Sequence, residues 1–323
     1  MKNVCIVGYG AIGPIHAAAI NSTDSARLYA VCETDADKRQ RCVDAYSVVA
    51  YSDFDEMLAD EKIDSIHICT PHHLHFEMAK KALAAGKIVV CEKPITMTEG
   101  EFSSLIEIDV ERRLCAVFQN RCNPSIEELK AIVDSGRLGK IKTAKATVTW
   151  CRDASYYAKD EWRGKWATEG GGVLINQSIH TLDYFSYLCG DIKSVRAQMI
   201  NFAIPEIEVE DTMSACLQLD CGARGIFFAT NAYGDNPAPT FEIVFEKGIA
   251  RYEQGKLFVN GEVVAEDSKP KTGKMYWGRG HEMLIRKFYD FGEYFTLDDV
   301  AMTMNTVFAM YKSANNSGVE III

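Results

Sequence analysis

No two of the eleven cysteines in this 323-residue chain are spaced CxxC, so the sequence has neither a zinc framework nor a dithiol motif. Cys5, Cys69, Cys91 and Cys115 sit inside apolar runs that read as strands, where a thiol behaves as a small buried hydrophobe. Reduced thiols in a cytosolic protein are the expectation. Positive charge is also short: 35 Lys and Arg stand against 45 Asp and Glu, a formal net charge of −10. That argues against nucleic acid or an anionic membrane surface as partner, since both demand a basic face. The opening MKNVCIVGYG has none of the marks of a signal peptide, and no uninterrupted apolar run of about 18 residues occurs after it. Internal repeats and low-complexity linkers are absent as well. What remains is a soluble, cytoplasmic protein whose partners are small molecules.

The residues that are present suit a folded chain. With 47% hydrophobic and 25% charged residues the composition is that of a globular protein, and the length favours roughly two domains. From the N-terminus, apolar runs alternate with helical segments: NVCIVG, AIGPIHAAAINS, RLYAVCE, a polar helix from Asp35, SIHICT, LHFEMAKKALAAG, KIVVCE. Continuous apolar strands separated by helices imply a parallel sheet covered on both faces. This rhythm ends near residue 122, which sets a first domain at 1–122 and a second at 123–323, for substrate binding and oligomerisation, with the last helix free to pack back on the first domain. In the second, Pro124 and Gly136 bracket a helix. Strands then dominate, from KTAKATVTW to the hairpin KLFVNGEVVAE turning at Asn260-Gly261. Two helices close the chain, at about 281–295 and 298–314. The fold class is α/β, a doubly wound parallel sheet succeeded by an α+β domain on a large, mostly antiparallel open sheet. By this reading helices cover one side of that sheet, and Val148, Phe227 and Phe228 line a face that needs cover, which predicts a homo-oligomer.

Gly8-Tyr9-Gly10-Ala11-Ile12-Gly13 is a complete GxGxxG between the first strand and a helix. Bare backbone there can approach a pyrophosphate while the helix N-terminus offers free N–H groups. Glu33 falls 20 residues after Gly13, where an acid accepts from ribose hydroxyls. It would repel a 2′-phosphate, so NAD is favoured over NADP, with Lys38 and Arg39 nearby as the opposing consideration. Thr70-Pro71 and Glu92-Lys93-Pro94 end two further strands, the edge at which ligands of such sheets sit. Lys93 there can stabilise alkoxide character on a substrate oxygen. His72, His73 and His75 come with no cysteine or carboxylate framework, which argues against a metal.

In GGGVLINQSIHTLD, residues 170–183, three glycines precede what reads as an amphipathic helix. Asn176, His180 and Asp183 share one face, opposite Val173, Leu174, Ile179, Leu182, Phe185 and Leu188. An isolated histidine in such a place is by default a tethered core residue.

Taken together, GYGAIG, TPHHLH, CEKP, QNR at 119–121, WRGKW at 162–166 and GGGVLINQSIHTLD resemble the Gfo/Idh/MocA oxidoreductases, the family of glucose-fructose oxidoreductase and inositol dehydrogenases. The resemblance spans nearly the whole chain. It implies an N-terminal Rossmann domain, a C-terminal α/β domain whose open sheet builds dimers or tetramers, and hydride transfer between NAD and a secondary alcohol of a sugar or cyclitol. It extends the cofactor-binding set to His72, His75, Glu92, Lys93 and Gln119. It maps the family's lysine onto Lys93 and its second-domain histidine onto His180. Many members carry aspartate where this chain has Asn176, and some carry asparagine, so the resemblance alone leaves its role open. An amide cannot accept the proton, so the base assignment shifts to His180, with Lys93 polarising the oxygen and Asn176 orienting it. Asp183 either holds the His180 ring or is a structural partner of the helix. On this reading the glycines at 170–172 let backbone approach cofactor and substrate. Arg121, Arg152, Tyr156 and Trp162 are pocket-rim candidates. The family also admits NAD-dependent glycosidases, distinguished by the absence of accumulating NADH, and non-catalytic dinucleotide-binding regulators, for which the lysine and histidine would be dispensable.

Overall fold

The structure is a computed structural model that describes residues 1–270 and 277–323. It contains two compact units. The first unit holds residues 1–96, 100–122 and 270–300; the second holds 97–99, 123–269 and 301–323. The sequence reading ran the second domain from 123 to 323 and let the last helix pack back on the first domain; residues 277–300 belong to the first unit. Their return is specific: the Phe295 carbonyl accepts the Ala116 backbone N–H at 2.7 Å.

The first unit is built on six parallel strands: β1 (Lys2–Val7), β2 (Ala26–Cys32), β3 (Val49–Tyr51), β4 (Ser65–Ile68), β5 (Ile88–Cys91) and β6 (Leu114–Ala116). Their order is β3-β2-β1-β4-β5-β6, the doubly wound arrangement whose ligand crevice lies where the order reverses. Val4, Cys5, Ile6, Ile66, Ile68, Val89 and Cys91 are fully buried, so consecutive residues on both faces are covered, as their unbroken apolar runs required.

The second unit carries nine strands: β7 (Ile141–Thr149), β8 (Ile192–Ile200), β9 (Thr212–Leu219), β10 (Arg224–Thr230), β11 (Thr240–Phe245), β12 (Gly248–Glu253), β13 (Lys256–Val259), β14 (Glu262–Glu266) and β15 (Ile321–Ile322), in the order β14-β13-β12-β11-β7-β10-β9-β8-β15. Only β7 and β10 run parallel; every other neighbouring pair is antiparallel. The turn between β13 and β14 uses Asn260 and Gly261, both at positive φ, as a two-residue hairpin loop demands. Helix Pro124–Ser135 has its proline in the first turn and ends on left-handed Gly136.

Helix Ile179–Cys189 packs on β7 and β11. Phe185 meets Phe241 edge-on at 5.1 Å and lies so close to β10 that a Cβ on Gly225 would stand 2.8 Å from its ring. This corrects one expectation. Val148 and Phe227 lie on the helix-covered side and are buried; strand alternation puts Phe228, Ile226 and Ile249 on the opposite face, where they are exposed. A Lys145–Glu242 ion pair at 3.0 Å crosses that same face.

The closing helices differ in detail from the reading. The first is α-helical over Gly280–Arg286, widens to a π turn over Lys287–Phe291 and stops at left-handed Gly292. The second spans Leu297–Asn315. Among the described residues no helix is long and apolar enough to cross a membrane.

Candidate active site

In the first unit the glycine turn has a backbone reason for each glycine that matters. Gly8 has φ +88°, and a Cβ there would stand 2.8 Å from the Cys69 carbonyl oxygen. A Cβ on Gly13 would meet the Gly8 carbonyl oxygen at 2.7 Å, while Gly10 has nothing within 4 Å, leaving its side open to a ligand. Helix Gly13–Ile20 starts without a side-chain cap and without an acid in its first turn, so its leading N–H groups suit an anion. Glu33, at the end of β2, accepts the Tyr9 N–H at 2.7 Å and the Asp35 N–H at 3.0 Å. Its carboxylate fixes the turn while keeping lone pairs for hydroxyls. Arg39 donates to the Glu33 and Thr34 carbonyls at 2.5 and 3.2 Å. These residues fit a dinucleotide: an open glycine cradle, an uncapped helix start and an acid at the next strand end.

The strand ends after β4 and β5 are tied together by histidine. His75 is buried, with Nδ1 2.8 Å from the Pro94 carbonyl and Nε2 2.9 Å from the Thr70 carbonyl. Burial holds its pKa below the usual histidine range, and the neutral ring donates to one of the two. His75 thus acts as a strut between Thr70-Pro71 and the Lys93-Pro94 peptide, which is cis.

Glu92 is the centre of a buried network that the sequence did not reveal. Its Oε1 lies 3.0 Å from His16 Nε2 and 3.1 Å from His281 Nε2, and its Oε2 accepts the Lys93 N–H at 3.2 Å. Burial alone would raise its pKa; the two histidines outweigh burial and hold it well below the carboxylate range. Beyond it, His16 Nδ1 is 2.8 Å from His67 Nδ1, His67 Nε2 is 2.9 Å from Tyr289 Oη, and Tyr289 Oη is 2.7 Å from Ser65 Oγ. One assignment satisfies the chain. His16 and His281 donate to the carboxylate, so His16 Nδ1 accepts from His67. His67, kept neutral because burial and the neighbouring His16 depress its pKa, accepts from Tyr289, and Ser65 donates to Tyr289. His16 Nε2, Glu92 Oε1 and His281 Nε2 lie within 4.8 Å of one another, within reach of a single cation, yet in this assignment both Nε2 atoms carry protons.

Gln119 and Arg121 lie on the short helical turn Gln119–Cys122 and are buried. The Arg121 guanidinium sits 5.5 and 5.0 Å from the Phe118 and Phe295 rings and donates to the Asp299 carbonyl at 3.1 Å. His72 is buried in the turn after Pro71.

In the second unit Gly171 and Gly172 are required by close packing: a Cβ on Gly171 would overlap the Tyr311 hydroxyl, and one on Gly172 would overlap the Glu210 carbonyl. The chain then forms a π turn, Val173–Ser178, before the α-helix Ile179–Cys189. The Ser178 hydroxyl bonds the Val173 and Leu174 carbonyls at 2.7 and 3.2 Å. Glu210 receives the Gly172 and Leu174 N–H groups, both at 2.9 Å, and the Tyr311 hydroxyl at 2.9 Å. Burial nevertheless pushes its carboxyl up to about 7. Asn176 donates to the buried Glu169, whose other oxygen takes the Gly164 N–H at 2.5 Å. Asp183 is buried and accepts from Thr303 at 2.6 Å, a bond between helices. Asn176, Gln177 and His180 are half-buried, as are Arg152, Tyr156, Trp162 and Arg163, with Gln177 donating to Tyr156 Oη at 2.6 Å.

Residues 2–120 match the oxidoreductase family described as having an NAD-binding Rossmann fold, and residues 126–251 match the GFO/IDH/MocA C-terminal domain. The chain belongs to the Gfo/Idh/MocA family. Inositol 2-dehydrogenase of Rhizobium meliloti is 28% identical over 227 residues, 68% of this chain and 66% of that protein. Levoglucosan dehydrogenase of Pseudarthrobacter phenanthrenivorans is 28% identical over 258 residues, 71% of this chain and 66% of its own length. The aligned stretches therefore span about two thirds of these two relatives. A solved structure, the WlbA dehydrogenase of Bordetella pertussis in complex with NADH and UDP-GlcNAcA, superposes with a TM-score of 0.89 at 28% identity, covering 100% of this chain and 97% of that one.

As a Gfo/Idh/MocA protein, the chain has an NAD-binding Rossmann domain as its first unit. Its sequence motifs left several side chains unremarked: His16, His67, His281 and Tyr289 in the Glu92 network, Arg163 beside Tyr156, and the buried carboxylates Glu169 and Glu210. Of these Arg163 had a local signal, in WRGKW, and Glu169 bonds within its own stretch, to Gly164 and Asn176; the others depend on residues far apart in sequence.

Proposed function

We propose that this protein transfers a hydride reversibly between NAD and a secondary alcohol or ketone of a sugar, sugar derivative or cyclitol. The observation that carries the reading is Lys93, placed at the carboxyl end of β5 in a sheet of order β3-β2-β1-β4-β5-β6, the edge where such sheets hold ligands. The names of the inositol and levoglucosan relatives support the substrate class. NAD, when bound, accepts the hydride in oxidation and returns it in reduction. Gly8, Gly10, Ala11, Ile12 and Gly13 take the pyrophosphate, Glu33 the ribose, and Thr70 and Pro71 shape the adjoining strand end. Lys93 donates a hydrogen bond to the reacting oxygen and stabilises its negative character. His180, on the first turn of its helix, takes the hydroxyl proton. Asn176, anchored on Glu169, orients that hydroxyl.

Two finer statements belong to the same reading. The protein is a homodimer or homotetramer, supported by the exposed Ile226, Phe228 and Ile249 on the uncovered sheet face. It works in the cytoplasm, supported by eight cysteines buried as thiols.

The test is His180→Ala assayed with NAD and a panel of polyols and sugars, following NADH absorbance. The variant is expected to lose about 10²–10⁴-fold in turnover while NADH affinity, which belongs to the first unit, stays put. Near-full activity in the variant would remove His180 from the mechanism; an unfolded variant would make it a core residue.

A further inference from the structure

Residues 150–177 gather two guanidiniums around one phenol. Arg152 Cζ lies 5.2 Å from the Tyr156 ring centre and 4.9 Å from that of Trp150; Arg163 Cζ lies 4.8 Å from Tyr156 and 4.4 Å from Trp162. The two differ in how their charge is met. Arg163 Nε pairs with Asp160 at 2.9 Å. Arg152 gives its Nη1 hydrogens to neutral acceptors, the Cys151 carbonyl at 2.7 Å and the Asn236 side-chain oxygen. Among the described residues no carboxylate lies within 4.0 Å of it. The adjacent acid is spent elsewhere: Asp153 caps its own turn, accepting the Tyr156 N–H at 3.0 Å and the Ser155 hydroxyl at 2.6 Å. Arg152 is therefore a half-buried cation, held over two rings, without a countercharge.

The phenol beside it is a donor by elimination. Tyr156 Oη already accepts from Gln177 at 2.6 Å and from Arg163 at 2.7 Å, so its remaining capacity is its own O–H. Gln177 belongs to the same π turn as Asn176 and precedes His180 by three residues. A guanidinium and a hydroxyl donor thus stand one side chain away from the segment assigned to the reacting alcohol. Donors alone, one of them charged, suit a group that only accepts and is negative.

We propose that Arg152 and the Tyr156 hydroxyl bind an anionic substituent of the substrate, a carboxylate or a phosphate, so that the chain acts on an acidic sugar in preference to a neutral one. This rests on the dehydrogenase reading and narrows its substrate. The experiment measures NAD reduction by the full-length protein with glucuronate and galacturonate, with glucose 6-phosphate, and with glucose, galactose and myo-inositol. At least one anionic sugar is expected to exceed its neutral counterpart about tenfold in kcat/KM, through KM, and the ratio should fall as salt rises. The uronate and phosphate arms tell carboxylate from phosphate. Arg152→Met should cut the ratio about tenfold by raising KM for the acid, and Arg152→Lys should restore part of it. The wild-type ratio and its salt dependence need no variant, so a poorly folding Arg152→Met leaves the test intact. Neutral sugars turned over as well as the acidic ones, or a ratio unchanged in Arg152→Met, would overturn the proposal while leaving the dehydrogenase reading standing. Failure of every alcohol to reduce NAD would sink both.

Discussion

Glu92 is a buried carboxylate whose charge is kept by two imidazole donors on one oxygen. Replacing His281 by Phe keeps much of the ring volume but removes one donor, and a buried acceptor that loses a partner costs about 1–3 kcal/mol. The depressed pKa sets the sign of the pH dependence. Glu92 contributes stability above the ordinary carboxylate pKa of about 4.5, and loses it as pH falls through its lower folded value. With one histidine gone that folded value rises, so His281→Phe should melt at lower temperature at neutral pH and unfold in acid at a higher pH than wild type. Circular dichroism across an acid titration reads both, and an unchanged acid midpoint would remove His281 from the network. His67, His75 and His281 also have pKa values lowered by burial, so wild type itself should lose stability as pH falls below about 6.5. At Glu33 the prediction concerns the cofactor. The carboxylate is fixed beside the glycine turn, Arg39 is turned to carbonyls and Lys38 faces Asp35 at 3.9 Å, so a 2′-phosphate meets repulsion from Glu33. NADH should bind more tightly than NADPH, by fluorescence titration, and Glu33→Gln should narrow the difference; equal affinities in wild type would contradict it.

The π turn Val173–Ser178 and the Glu210 that caps it form the element on which Asn176 rides. Glu210 takes three donors yet has its pKa raised to about 7 by burial. A raised folded pKa gives stability that is complete below about 4.5 and lost as pH climbs through about 7. Glu210→Gln sets an amide N–H against a backbone N–H and should cost about 1–3 kcal/mol. The gap in melting temperature between wild type and variant should be widest in acid and shrink above pH 7; a gap that widens there would reverse the assigned sign. Elements of this kind mark the limit of what the sequence disclosed. The strands and the glycine turn were legible because burial on both faces writes unbroken apolar runs and because Gly8 and Gly13 have no room for a Cβ. The π turn was not, since a single widened turn leaves the apolar spacing of a helix almost intact. The surroundings of Arg121 were not legible because Phe295, one of the rings beside it, lies 174 positions later. His67, Val148 and Phe227 escaped the reading for related reasons: the partner or the covered face was set by tertiary packing.

For the whole molecule, the uncovered face of the nine-stranded sheet is the feature with the largest consequence in solution. Ile226 is 48% exposed and Phe228 37%, flanked by the Lys145–Glu242 pair, a mixture suited to a self-association surface. Sedimentation at micromolar concentration should give a dimer or larger species, and Phe228→Glu with Ile226→Lys should shift it to monomer without lowering NADH affinity. A wild-type monomer would count against the assembly.

The return of residues 270–300 to the first unit also dictates an order of events at the ribosome. Domains made first ordinarily fold first. Here Glu92 waits for its second donor until His281 emerges, and β6 waits for its bond from Phe295. By then every strand from β7 to β14 has already been synthesised, so the unit that begins the chain is completed only after most of the other has left the exit tunnel.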